Sequence, residues 1–179
     1  GVLRDNDAAW GALADAVTAA PFEFTPPPPA RNIVIDDDFE KLPVGAQPTW
    51  GVVSLENKGD SIAVTDETAC TGRHCLKFKD VKGLTMRFNP YMYLGPSASS
   101  GKAFLSFDFK SGKDIEFYIE FRDGMTPGPS IYFFEDKLCY RDSSEKMNLI
   151  TEIPPQKWFH VEMVLTLDQP GAPMDMTLT

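Results

Sequence analysis

From residue 33 to residue 167 the side chains alternate between apolar and polar with a period of two, the signature of half-buried β-strands. Ile33, Val34 and Ile35 open the series, and Ser61 to Thr65 follows. From Cys75 to Lys79, Leu76 and Phe78 fall on one face, with Lys77 and Lys79 on the other. Leu84, Met86 and Phe88 alternate with Thr85, Arg87 and Asn89. Ala103, Leu105, Phe107 and Phe109 alternate with Phe104, Ser106, Asp108 and Lys110. Ile115, Phe117, Ile119 and Phe121 alternate with Glu116, Tyr118, Glu120 and Arg122. Further strands are predicted over Ile131 to Glu135, Lys137 to Arg141 and Trp158 to Leu167. Gly, Pro, Asn and Asp separate these short runs, and no long amphipathic helix interrupts them. The pattern predicts an all-β, antiparallel sandwich or barrel rather than a parallel α/β sheet.

The first 31 residues read differently. Asp7 to Ala19 has the 3-4-3 spacing of a short helix through Trp10, Leu13, Ala14 and Val17, with Asp5, Asn6 or Asp7 as cap. Pro21 stops it, and Thr25 to Pro29 makes a stiff polyproline spacer. Residues 1–31 are therefore expected to be the helical and Pro-rich tail of an upstream domain, and residues 32–179 the β domain. An alternative packs Trp10 and Phe22 back onto that domain. Alternation from Met174 to Thr179 reads as a further strand, cut off partway, so the β domain is expected to be truncated at this end.

Charge gives a register for two of these strands if they are neighbours. Lys110 opposite Glu116 puts Asp108 on Tyr118, Ser106 on Glu120, Phe109 on Phe117 and Phe107 on Ile119. A slip by two sets Asp108 against Glu116, which costs up to about 1 kcal/mol. In that register Ser106, Asp108, Tyr118, Glu120 and Arg122 form one polar and aromatic surface.

Composition narrows the function classes. With 17 Lys and Arg against 26 Asp and Glu, the formal charge is -9. This argues against nucleic acid or an anionic membrane as partner, since both require clustered basic residues. No apolar run is long enough to span a bilayer. A phosphate-binding loop, a dinucleotide fingerprint and a Gly-x-Ser-x-Gly elbow are all missing. The two histidines, His74 and His160, fall in a hairpin and on a strand face, where His160 reads as a surface residue.

Three ordered stretches resemble a family of secreted bacterial jelly-roll domains of the concanavalin A-like lectin and glucanase type, laminin-G-like domains included. Asp37-Asp38-Phe39-Glu40 with Pro43 to Pro48 and Trp50 resembles the opening strand and turn. Val64 to Glu67 followed by Thr71-Gly72-Arg73-His74-Cys75-Leu76-Lys77 resembles the family's hairpin, with Cys75 where Ser is usual. Pro155 to Glu162, around Trp158, resembles the strand that begins Gly-x-Trp-aromatic-x-Val. The resemblance implies a jelly-roll β-sandwich that serves as a non-catalytic carbohydrate-binding or accessory module of a secreted or cell-surface polysaccharide-acting protein. It implies polysaccharide, and an adjacent domain of the same parent chain, as partners.

Sugar recognition needs aromatic faces and hydrogen-bonding carboxylates or Arg. The candidates are Tyr91, Tyr93, Tyr118, Glu120, Arg122 and Tyr132, with Asp123 and Tyr140 nearby in sequence. One alternative is a structural module bracing a catalytic or β-helix neighbour; another is a glycoside hydrolase or polysaccharide lyase. The enzyme reading lacks the family's carboxylate motif. Glu116 and Glu120 stand four residues apart on one strand, about 13 Å between Cα atoms, beyond the roughly 5–9.5 Å between carboxyl groups that glycoside cleavage uses. Asp36 and Asp38 share a strand face and are candidate calcium ligands, with a charged, solvated edge as the alternative. Cys70 and Cys75 flank a short loop and are expected to form a disulfide, with Cys139 unpaired; a zinc site with His74 does not match common spacings.

Overall fold

A computed structural model describes residues 35–95, 98–112, 115–142, 144–167, 169 and 174–179. The helix expected over Asp7 to Ala19 and the Pro-rich spacer lie outside them. The described chain is all-β, with every strand pair antiparallel. Its strands are β1 (Val52–Ser54), β2 (Ser61–Thr65), β3 (Cys75–Lys79), β4 (Tyr91–Tyr93), β5 (Lys102–Lys110) and β6 (Glu116–Asp123), then β7 (Thr126–Phe134), β8 (Lys137–Arg141), β9 (Met147–Glu152), β10 (Trp158–Thr166) and β11 (Asp175–Leu178). They form a four-stranded sheet in the order β6-β7-β8-β9, a three-stranded sheet β11-β10-β5, and two ribbons, β2-β3 and β1-β4.

The two larger sheets pack face to face as a β-sandwich. Ile131, Phe133 and Leu138 from one sheet meet Val161 and Met163 from the other, with Ile153 beside them, and all six are buried. Phe107, Phe109, Phe117, Ile119 and Phe121 close around that cluster. Each comes from the apolar side of an alternating strand, so the two-residue period directs them inward.

Several expectations need correction. The segment β5 does not pair with β6: Lys110 stands opposite Trp158 and Asp108 opposite His160, while Glu116 stands opposite Phe134. The two strands belong to different sheets. Phe109 and Phe117 do meet, with ring centroids 5.3 Å apart, but across the core rather than side by side. The polar surface expected from Ser106 to Arg122 is accordingly divided between the outer faces of two sheets. Residues 84–89, expected to be a strand, form turns instead, and Ile35 is outside any strand.

At the hairpin between β6 and β7 the register shifts between Glu120 and Arg122. Such a bulge re-aims side chains on the longer arm. Gly128 sits against it, where an added Cβ would lie 2.7 Å from the Phe121 carbonyl oxygen. Backbone cannot yield as a side chain does, so Gly128→Ala is expected to lower stability by about 1–3 kcal/mol. Thermal unfolding checks this, and an unchanged transition would disprove the close approach.

Candidate functional site

The six sugar-binding candidates separate into two clusters. Tyr91 and Tyr93 lie on β4, where alternation turns Met92 the other way, beneath Gly51. Their strand partners are Ser54 and Val52, side chains too small to cover the rings. The two Tyr rings have centroids 6.3 Å apart and planes 23° apart, and Phe88 meets Tyr91 edge-on at 5.5 Å. Phe88, Tyr91 and Tyr93 are 43%, 37% and 51% exposed. This is an open aromatic row beside exposed Met86, Leu94 and Val52.

The row rests on a fixed loop. The Glu56 carboxylate accepts hydrogen bonds from Thr85 N at 2.8 Å, Met86 N at 2.7 Å, Asn89 Nδ2 at 3.1 Å and Lys58 Nζ at 2.8 Å. The Asp60 carboxylate in turn accepts from Glu56 N and Lys58 N. Lys58 first, and then the two backbone N–H groups, hold the Glu56 carboxyl well below the usual carboxylate range. Donors that would otherwise favour a strand ladder are therefore bound by a distant carboxylate, which is why residues 84–89 turn rather than extend.

The second cluster lies on the outer face of the four-stranded sheet. Tyr118 and Tyr132 are directly opposite on β6 and β7, stacked with centroids 5.3 Å apart. The Arg141 guanidinium, from β8 on the other side of β7, lies 5.4 Å over the Tyr132 ring. Neighbours from both adjacent strands thus occupy Tyr132. Burial first, and the Glu120 charge second, push the Tyr118 phenol above its ordinary pKa. Glu120 accepts from Arg122 Nη1 through one oxygen, and its other oxygen lies 3.6 Å from Arg141 Nη2. Its side chain is 7% exposed. Arg122 also donates to the carbonyl of Met125 at 2.7 Å, and Arg141 Nη1 pairs with Glu145 at 3.2 Å.

This second cluster is closed upon itself: its carboxylate and both guanidinium groups already have partners within it. Glu120 organises the two Arg side chains and has little surface left for a ligand. The Tyr118 ring is itself 40% exposed, and the β4 row differs in carrying three exposed rings side by side. Arg141 escaped the sequence reading, although its place two residues after Cys139 on an alternating strand puts it on the Tyr132 side.

Asp36 and Asp38 line a cleft of about 380 Å³ with Asp37, Lys41, Leu42 and Thr49. The Asp37 carboxylate accepts from Trp50 Nε1 at 2.6 Å and Phe39 N at 2.8 Å, and Asp38 accepts from Glu40 N at 3.1 Å. Among the described residues no group of three His, Cys, Asp or Glu side chains is disposed to hold a metal ion. Calcium takes about six to eight oxygen ligands, so an ion held by Asp36 and Asp38 would need others.

Cys70, Cys75 and Cys139 are free thiols, and the expected Cys70–Cys75 disulfide is not formed. Cys75 lies in β3 opposite Thr65, whereas the Cys70 thiol is directed to the Asp108 carboxylate on β5. Partial loss of hydration first, and that carboxylate second, raise the pKa of the exposed Cys70 thiol.

On the outer face of the three-stranded sheet, His160 Nδ1 lies 2.9 Å from Asp108 Oδ1 and His160 Nε2 lies 3.2 Å from Ser106 Oγ. Glu162 Oε1 is 3.5 Å from Nε2. Strand pairing explains the assembly, because His160 is opposite Asp108 and Glu162 opposite Ser106. No family model, curated protein or solved structure matches the chain.

Proposed function

We propose that residues 32–179 are a jelly-roll carbohydrate-binding or accessory module of a secreted bacterial polysaccharide-acting protein. The observation that carries this reading is the Phe88–Tyr91–Tyr93 row. Its rings are exposed on β4 and on the loop that leads into it, where one carboxylate binds the N–H groups of Thr85 and Met86. Large aromatic rings are normally drawn into cores, and holding them outward on a rigid base suits the apolar faces of pyranose rings. Rigidity lowers the entropy lost on binding. The antiparallel, face-to-face sheets are consistent with the jelly-roll type.

Affinity electrophoresis against plant, algal and host glycans tests the reading. At least one glycan is expected to retard the protein. Replacing Tyr91 and Tyr93 together with Ala is expected to weaken that binding by tenfold or more, equivalent to about 1.4 kcal/mol, with the unfolding transition unmoved. Absence of retardation by every glycan would remove the proposal.

A further inference from the structure

The group on the outer face of β5 and β10 has a connectivity that its sequence positions conceal. Asp108 is an acceptor only, so the Nδ1 atom that faces it carries a proton, and neutral His160 then presents the Nε2 lone pair to the Ser106 hydroxyl. Glu162 at 3.5 Å is farther from Nε2 than Ser106 and lies outside good hydrogen-bonding distance. We propose that Ser106, His160 and Asp108 form a nucleophilic relay that cleaves small acyl esters of alcohols.

The backbone supports the assignment. His160 exchanges both of its main-chain hydrogen bonds with Thr179, at 2.7 and 3.2 Å. It therefore forms a non-hydrogen-bonded pair with Asp108, the narrow pairing in which facing side chains come closest. By the same alternation Ser106 directs its N–H away from β10. Among the described strands β5 has no partner on that other side. The Ser106 N–H is thus available beside its own Oγ, where an oxyanion would develop. Phe104, 63% exposed and two residues away on the same face, offers an apolar contact for the ester.

In the reaction Ser106 Oγ attacks the ester carbonyl while its proton passes to His160 Nε2. The C–O bond to the alcohol then breaks, and the imidazolium returns the proton to the leaving oxygen. Water, deprotonated by the same nitrogen, releases the carboxylic acid and restores the hydroxyl, so no other reactant is consumed. Asp108 is a positioning residue that keeps the ring in the required tautomer. Glu162 adds negative charge near the transient imidazolium.

The test uses the whole chain, a fluorophosphonate probe and para-nitrophenyl acetate. Mass spectrometry is expected to place the phosphonate on Ser106. Hydrolysis is expected to fall about 100-fold or more in Ser106→Ala, and to fall in Asp108→Asn with its pH profile displaced. Hydrogen bonding to Asp108 raises the His160 pKa, and only neutral imidazole accepts the proton. The rate should therefore rise with pH through the value at which His160 titrates by NMR. Failure to label Ser106, or turnover that survives in Ser106→Ala, would overturn the relay; labelling of the unaltered protein does not depend on any variant folding.

Discussion

Replacing Phe133 with Ala is expected to cost about 3–5 kcal/mol of folding free energy, a large part of the roughly 5–15 kcal/mol that holds a typical domain together. The side chain is 1% exposed. Its ring stacks on Phe109 with centroids 4.4 Å apart and touches Phe117 and Phe159 at 6.0 and 5.9 Å. Those neighbours come from β5, β6 and β10, so the one ring ties the four-stranded sheet to the three-stranded one. Truncation removes both the transfer energy of the ring and the packing around the void. Strands pinned by ladders on both sides relax little, which places the cost toward the upper part of the range.

Urea unfolding gives the measurement. Phe133→Leu should recover part of the loss because it refills part of the volume. Phe104→Ala is the contrast, since that ring is 63% exposed and should change stability by no more than about 0.5 kcal/mol. A loss below about 1 kcal/mol in Phe133→Ala would mean that the two sheets do not share this core.

The identity of most strands was legible because one face of each is buried. Phe107 and Phe109 alternate with Ser106 and Asp108 whatever their partner strand, and that local signal survives. Partner choice was not legible. The charge argument set Lys110 opposite Glu116 and so chose as partner the strand adjacent in sequence, whereas Lys110 faces Trp158 and Glu116 faces Phe134. The actual partner, β10, lies about fifty residues onward, as the Asp108–His160 pair shows. Residues 84–89 misled for a similar reason: the Glu56 carboxylate that captures their N–H groups is 29 and 30 residues away from Thr85 and Met86. β1 and β4 have three residues each, too few for a period to register. β7 begins at Thr126, where Pro127, Gly128 and Pro129 argue against a strand. Its pairing with β8 starts only at Ile131, leaving the Pro-containing end without a ladder on that side. Tyr118, Glu120, Arg122 and Tyr132 were listed by residue type in one set with Tyr91 and Tyr93, and type alone could not show that the fold separates the two groups or that Glu120 already has two Arg partners.

Removing Glu120 is expected to be the costliest change on that outer face. Glu120→Ala leaves Arg122 and Arg141 facing each other without the carboxylate between them, where like charges repel. The Glu120 side chain is 7% exposed, but Arg122 and Arg141 are 42% and 27% exposed and water screens part of the effect. The loss should therefore be about 1–3 kcal/mol, below that for severing a fully buried ion pair. The Arg141 guanidinium also loses an anchor over Tyr132, so the near-ultraviolet circular dichroism of the Tyr118–Tyr132 pair should change with stability. Glu120→Gln keeps the shape and one acceptor and should fall between. Mutual repulsion supplies a distinguishing signature, because 1 M salt shortens the screening length to about 3 Å. The stability gap between Glu120→Ala and the parent should narrow in salt. Arg141→Met added to Glu120→Ala should regain part of the loss by removing one of the uncompensated charges. A gap indifferent to both salt and Arg141→Met would show that Glu120 acts through packing alone, and the charge network would lose its role in ordering the tyrosine pair.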